Sequence, residues 1–237
     1  MAKFIQISIF LLSAFFINSC GVFKSIDGSG NIVRQERVLS GYEKIKIDNS
    51  FNVFIEKSNS FGVIVETDDN IQPHIKTEIE DKRLNIYNDE SIDPTSTIIT
   101  IKLPLLKDLL VNGTAIVRGR GVFTGEELEI TLNSSGDVEI ETELQKIELE
   151  INGSGDITAR GKADEADLEI DGSGDLQLLN LDTREVKAEI NGSGNITVKV
   201  SEKLQAKIDG SGNILYYGDP GRVVSDISGS GSVMPAR

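Results

Sequence analysis

The heptapeptide INGSGDI at residues 151–157 recurs as IDGSGDL at 170–176, INGSGNI at 190–196 and IDGSGNI at 208–214. Its central serine falls at Ser154, Ser173, Ser193, Ser211 and Ser230, in steps of 19, 20, 18 and 19. Upstream, LNSSGDV (132–138) and VNGTAIV (111–117) put Ser135 and Thr114 in the same place, and IDNSFNV (47–53) and IDGSGNI (26–32) offer Ser50 and Ser29. A fixed period is the signature of a stacked-repeat architecture, and a period near 19 is too short for a helix pair, which takes about 33 residues or more.

The interior of each repeat decides what is stacked. Leu149, Ile151, Gly153, Gly155, Ile157 and Ala159 share one parity, and Glu150, Asn152, Ser154, Asp156 and Thr158 share the other. Period 2 means extended strand. One such coil cannot bury its own apolar face, but coils stacked in parallel about 4.8 Å apart can. The expected fold is all-β: a parallel β-helix, or solenoid, with coils of about 18–21 residues. It is expected to be right-handed, as parallel crossovers are. The interval from Ser50 to Thr114 leaves room for three steps, so the rungs across 41–110 are expected to be degenerate and those across 111–233 regular. The resulting division is a leader over 1–19, a linker and first rung over 20–40, and one solenoid domain over 41–237.

The two glycine columns of the GSG corner share the inward parity. Glycine in a strand costs stability, so a sharp bend or a close approach between walls is expected there. The other parity makes three outward columns. The first is Asn152, Asp171, Asn191, Asp209 and Ser228; amide over carboxylate avoids like-charge contact. The second is Ser154, Ser173, Ser193 and Ser211. The third begins with Asp137, Asp156 and Asp175 and continues through Asn195 and Asn213. Three successive carboxylates about 5 Å apart repel by roughly 1 kcal/mol per pair in water. Either solvent screens them or a cation such as calcium, which takes oxygen ligands, sits between them. The calcium-binding nonapeptide motif GGxGxDxUx is not matched by NGSGDITAR, which lacks its glycine pair. No cofactor is otherwise implied.

Charge is unevenly placed. The formal net charge is −14, and residues 126–190 alone hold 19 acidic and 5 basic side chains. Nucleic acid, whose binders cluster Lys and Arg, is therefore not an expected partner. The N-terminus reads as a secretory leader: an apolar run from Phe4 to Ile17, shorter than the roughly 20 residues a membrane span needs, ends just before Cys20, the sole cysteine. INSC resembles the lipobox of bacterial lipoproteins, which implies lipidation of Cys20 and membrane attachment through that lipid. Gly21 after the cysteine resembles the pattern sorted to the outer membrane, facing the periplasm or the cell surface.

The iterated I-[ND]-G-S-G-[DN]-[IL], the INSC lipobox and the segment GYEKIKIDNSFNVFI at 41–55 together resemble the head GIN domain family of auto-transporter adhesins, common in Bacteroidota. The resemblance spans residues 40–230. It implies a β-helix-like solenoid and an adhesive role, and it brings no catalytic residues. An auto-transporter would also need a membrane barrel of strands of about 9–11 residues, and no such segment follows the repeats in this sequence.

Chemistry in the usual sense is not expected. The sole histidine, His74, stands beside Pro73 outside the regular repeats. The carboxylates recur as a lattice, not as one acid–base pair. GSG is not a phosphate loop, because no Lys follows and no strand-to-helix switch is visible. Two classes remain: a non-catalytic envelope module that binds a glycan, envelope or protein ligand, and a polysaccharide-acting β-helix enzyme of lyase or hydrolase type. Such enzymes carry long loops between rungs, and coils this short leave little for loops.

Overall fold

Two periods, the alternation of the strand and the repeat near 19, fix the neighbours of almost every side chain in the second half of the chain. The computed structural model describes residues 25–236, all-β with about seven stacked turns. The segment read as a leader (1–19) and Cys20 lie outside the described residues. Long strands follow one another as Ile116–Leu132, Asp137–Ile151, Asp156–Gly172, Asp175–Gly192 and Asn195–Gly210, each paired in parallel with the next. Each strand starts at a GSG corner, runs along one wall, turns at a far corner and returns along the second wall to the next GSG.

The inward parity makes continuous columns. Ile151, Ile170, Ile190 and Ile208 stand in register and are at most 1% exposed. On the other wall Val138, Ile157, Leu176, Ile196 and Ile214 stand in register and are at most 2% exposed. Burying each such side chain contributes about 1.5–3 kcal/mol. The coil lengths vary, and the variation is absorbed at the far corner. Register shifts fall between Thr158 and Gly161 and between Leu178 and Glu185, so the GSG corners stay aligned despite the unequal steps between them.

The glycines at the GSG corner answer to a close approach, not to a thin interior. A Cβ on Gly174 would lie 2.0 Å from the carbonyl oxygen of Gly155 in the preceding rung and 3.0 Å from Ile151 Cγ2. One residue pair earlier, Gly172 adopts φ +151°, and its Cβ would lie 2.1 Å from Gly153 O. The carbonyl of Gly153 accepts from the N–H groups of both Ser173 (2.8 Å) and Gly174 (3.3 Å). The corner is thus a shared backbone hydrogen bond that leaves no space for a side chain.

The N-terminal third departs from a simple succession of rungs. Lys44–Asp48 and Asn52–Lys57 form one rung that pairs directly with Asp108–Asn112 and with the start of Ile116–Leu132. The hydroxyls of Ser50 and Thr114 are hydrogen-bonded to each other. The residues between them are therefore not three intervening steps. Arg83–Asn88 and Thr97–Leu103 form one rung, and it lies on the far side of the 44–57 rung, pairing Ile47 with Ile86 and Val53 with Ile99. Spatial order reverses chain order there. The remainder is a cap: Gly62–Asp68 runs antiparallel to Thr97–Leu103, and Ile75–Glu80 runs antiparallel to Arg83–Asn88. The cap covers the edges of the outermost rung itself and leaves Ile75–Glu80 and Ile32–Arg37 as the outer strands at that end. Tyr42 locks the cap, its buried ring against Phe61 at 5.0 Å and its hydroxyl donating to Lys102 O at 2.8 Å.

The segment over 26–32 is not a corner of this stack. Ile26–Asp27 pairs with Ile92–Asp93, and Ile32–Arg37 runs antiparallel to Gly62–Asp68. The buried Asp68 accepts from Gly30 N at 2.6 Å and Thr95 N at 2.8 Å, while Asp69 accepts from the Ser29 hydroxyl and from Asn31 Nδ2. Asn70 Oδ1 takes the N–H of Ser29 at 2.9 Å. Three consecutive side chains clasp the first repeat.

Candidate binding face

The outward parity builds the face. In the first column, Asn152 Nδ2 donates to Asn133 Oδ1 (2.9 Å), Asn133 Nδ2 to Asn112 Oδ1 (2.8 Å), and Asn112 Nδ2 to Asp48 Oδ1 (2.8 Å). Asn191 Nδ2 donates to Asp171 Oδ1 at 2.8 Å, and Asp209 follows in register opposite Ser228. Each amide donates toward the N-terminal end, and each run finishes on a carboxylate. Asn112, Asn133 and Asp48 extend the column beyond the residues the regular repeats pick out; their signal is the shared place before the marker in VNGTAIV, LNSSGDV and IDNSFNV.

The serines of the second column, Ser154, Ser173, Ser193 and Ser211, are exposed at the tip of the corner. The third column is a stack in which side chains replace part of the strand ladder. Asp156 Oδ1 accepts from the backbone N–H of Asp175 at 2.9 Å. Asp175 Oδ1 accepts from the N–H of Asn195 at 2.9 Å and from Asn195 Nδ2 at 3.0 Å. Asn213 Nδ2 then donates to Asn195 Oδ1 at 3.1 Å. Asp137 stands in register with Asp156. The three aspartates lie one above another, not around a common centre. Among the described residues no group of three or more His, Cys, Asp or Glu side chains could hold a metal ion.

The acidic wall is the second-wall side of the same corner. Glu150, Glu169 and Glu189 stack in one column, with Glu129, Glu148 and Asp167 in the column two residues earlier. A shallow groove of about 100 Å³ runs between them. Partial burial, then the charges of Asp171, Glu189 and Glu150, push the Glu169 carboxyl above the usual range. Burial and then Asp108, Glu148 and Glu150 do the same to Glu129. Lysines close the wall at its margins: Lys207 against Glu189 holds that carboxyl below its usual range, and Lys146 bridges Glu127 (3.4 Å) and Asp167 (3.2 Å). His74 stands apart, its Nδ1 3.1 Å from Asp89 Oδ1, in a local contact near the cap.

Comparison with known proteins adds a family to this geometry. The family model described as "Putative auto-transporter adhesin, head GIN domain" matches residues 41–220. A Bacteroides fragilis protein described as a "putative adhesin" superposes with TM-score 0.86 at 25% identity, covering 90% of this chain and 100% of its own. A Parabacteroides distasonis protein described as a "putative lipid binding protein" does so with TM-score 0.77 at 28% identity, over 90% of this chain and 100% of its own. A second "putative adhesin" from the same species gives TM-score 0.78 at 25% identity, with the same coverage. The comparison with curated proteins gave no match. With that match spanning most of the solenoid, the chain belongs to the head GIN domain family.

Proposed function

We propose that the chain is a non-catalytic binding module of the cell envelope, a solenoid head carried on a lipid at Cys20 in the outer membrane. Its ligand lies along the GSG corner. The observation that carries this reading is the exposed line Ser154, Ser173, Ser193 and Ser211, flanked by two columns whose amides and carboxylates are tied from rung to rung. Side chains already fixed by such ladders lose little freedom on binding, which reduces one of the costs of recognition. The array offers hydroxyls, amide groups and carboxylate oxygens at the rung spacing of about 4.8 Å. An extended, hydroxyl-rich polymer such as a glycan strand is the ligand class that this regular, shallow surface suits. The acidic wall beside it disfavours polyanions.

Binding is tested on a glycan array and by pull-down from envelope fractions, with protein lacking residues 1–20. Ser173→Arg with Ser193→Arg places bulk on the exposed tip without touching the core, and is expected to abolish capture. Undiminished capture by that variant moves the site elsewhere. The anchor is tested separately. Cys20→Ala is expected to shift the protein out of the membrane fraction, since a lipid chain supplies about 0.8 kcal/mol per buried methylene. Unchanged fractionation of that variant defeats the lipid anchor and leaves the binding face standing.

A further inference from the structure

The two ends of the solenoid are finished differently. At the N-terminal end, antiparallel strands cover both walls of the outermost rung. At the other end, Arg222–Gly229 pairs with Asn195–Gly210, and Ser232–Pro235 pairs with Asn213–Tyr217, with no further strand beyond either among the described residues. The core columns run out into the open there. Leu204 is fully buried, whereas Val223, next in its column, is 40% exposed; Ile208 is 1% exposed, and Ile227 beyond it 42%. Every second residue of an edge strand also aims its N–H and C=O away from the stack, a template on which another strand can pair.

The two walls are not equally open. Pro235 lacks a backbone N–H and blunts the edge formed by Ser232–Pro235. Arg222–Gly229 carries no proline and no lysine, the residues that usually protect an edge. Its sequence, RVVSDISG, is self-complementary in an antiparallel sense. Pairing about Val224 sets Arg222 of each copy opposite Asp226 of the other, Val223 opposite Ser225 and Ile227 opposite Gly221. The alternative register about Ser225 sets Val223 opposite Ile227 but leaves Arg222 opposite Ser228 and Asp226 opposite Val224, so neither charge finds a partner. Within the chain, Arg222 stacks on the like charge of Lys203, so an opposing carboxylate is what its outer side lacks.

We propose that this edge joins two copies of the chain end to end, about a two-fold axis through Val224, with Arg222 and Asp226 paired across it, Val223 set over Ser225 and Ile227 over Gly221 of the other copy. A two-fold contact of this kind is closed, so it yields dimers and not fibres. Two acidic walls and two GSG corners would then lie along one long rod.

The test is cross-linking of the full chain in membranes. Val224 is outward and 43% exposed, so Val224→Cys leaves the core intact, and the axis brings the two introduced thiols together. Under mild oxidation Val224→Cys is expected to give a disulfide dimer of twice the chain mass. The wild type sets the background from Cys20, and Leu179→Cys, similarly exposed at 41% on an inner rung, controls for random collision. Adding Arg222→Asp creates two like-charge pairs and should cut the dimer yield by about tenfold, and adding Asp226→Arg to that variant should restore it. Dimer from Val224→Cys no greater than from Leu179→Cys overturns the proposal. So does a yield indifferent to Arg222→Asp, or an adduct of any other mass, which would assign the edge to a different partner.

Discussion

Asn191 Nδ2 donates to Asp171 Oδ1 at 2.8 Å, from one rung to the rung before it, and Asp209 follows Asn191 on the next. The amide separates two carboxylates that would otherwise be neighbours. Asn191→Asp removes the donor and creates three stacked carboxylates. The expected cost is about 1 kcal/mol at low salt, and added salt should recover part of it, because exposed charges are screened. Urea melts of both proteins at low and high ionic strength measure this. A loss insensitive to salt would mean that the missing hydrogen bond, and not the added charge, causes it.

The corner glycines make a sharper prediction. In Gly174→Ala the new methyl would meet Gly155 O at 2.0 Å, and that oxygen belongs to backbone held in the ladder. The neighbouring rung would have to move, at a cost of about 3 kcal/mol. Gly221 serves as the control: a Cβ there has nothing nearer than Glu202 O at 3.8 Å, so Gly221→Ala should leave the melting midpoint almost unchanged. Ile190→Asp, which places a carboxylate in a column at 0% exposure, should prevent cooperative folding altogether.

Much of this was legible from residues alone, and the failures have a common cause. Ile170 over Ile190 and Asp171 beside Asn191 follow from a period of 2 and a period near 19, which together assign each residue a face and a neighbour. The adjacency of Ser50 and Thr114 does not follow. Parity says which way a side chain points, not the order in which rungs are stacked, and the intervening residues form a cap and a rung placed on the outer side. The clearest case is IDGSGNI, which occurs at 26–32 and again at 208–214. At 208–214 it is a corner of the stack; at 26–32 it is a loop gripped by Asp68, Asp69 and Asn70. Local sequence is identical, so the difference lies in tertiary partners alone. The glycine columns were visible as a requirement, but the carbonyl that imposes it belongs to another rung.

Stability should depend on pH in two opposed ways. Burial alone would raise the Asp68 carboxyl, but the N–H of Gly30 and the N–H and hydroxyl of Thr95 hold it below the usual range. Hydrogen bonds from Ser29 and Asn31 lower that of Asp69. A carboxyl lowered by folding contributes stability above its unfolded pKa, about 3.9, and loses it as pH falls through the folded value. Glu129 and Glu169 are raised, so the stability linked to their protonation is present below about 4.3 and is lost as pH rises through their folded values. Melting midpoints should therefore rise as pH falls from neutrality toward about 4.5, then drop below about 4. Glu169→Gln should flatten the upper limb, and Asp68→Asn the lower limb. A profile in which Glu169→Gln leaves the upper limb unchanged would remove the acidic wall as its cause.

The third column bears on cations. Asp156 and Asp175 each commit one carboxylate oxygen to the backbone N–H of the next rung, which holds that oxygen in the ladder and away from the geometry an ion would need. The carboxylates are stacked along a line, whereas calcium takes six to eight oxygens arranged around one point. Screening by mobile ions, by contrast, requires no convergence and depends on ionic strength rather than ion identity. Millimolar calcium and sodium at matched ionic strength are therefore expected to raise the melting midpoint equally. Asp156→Asn should lower stability by about 1 kcal/mol through the weaker bond to Asp175 N, with no change in the calcium response. A calcium-specific rise that disappears in Asp156→Asn with Asp175→Asn would mean the opposite: that the stacked carboxylates turn outward to share an ion between rungs, and that the backbone bonds give way to it.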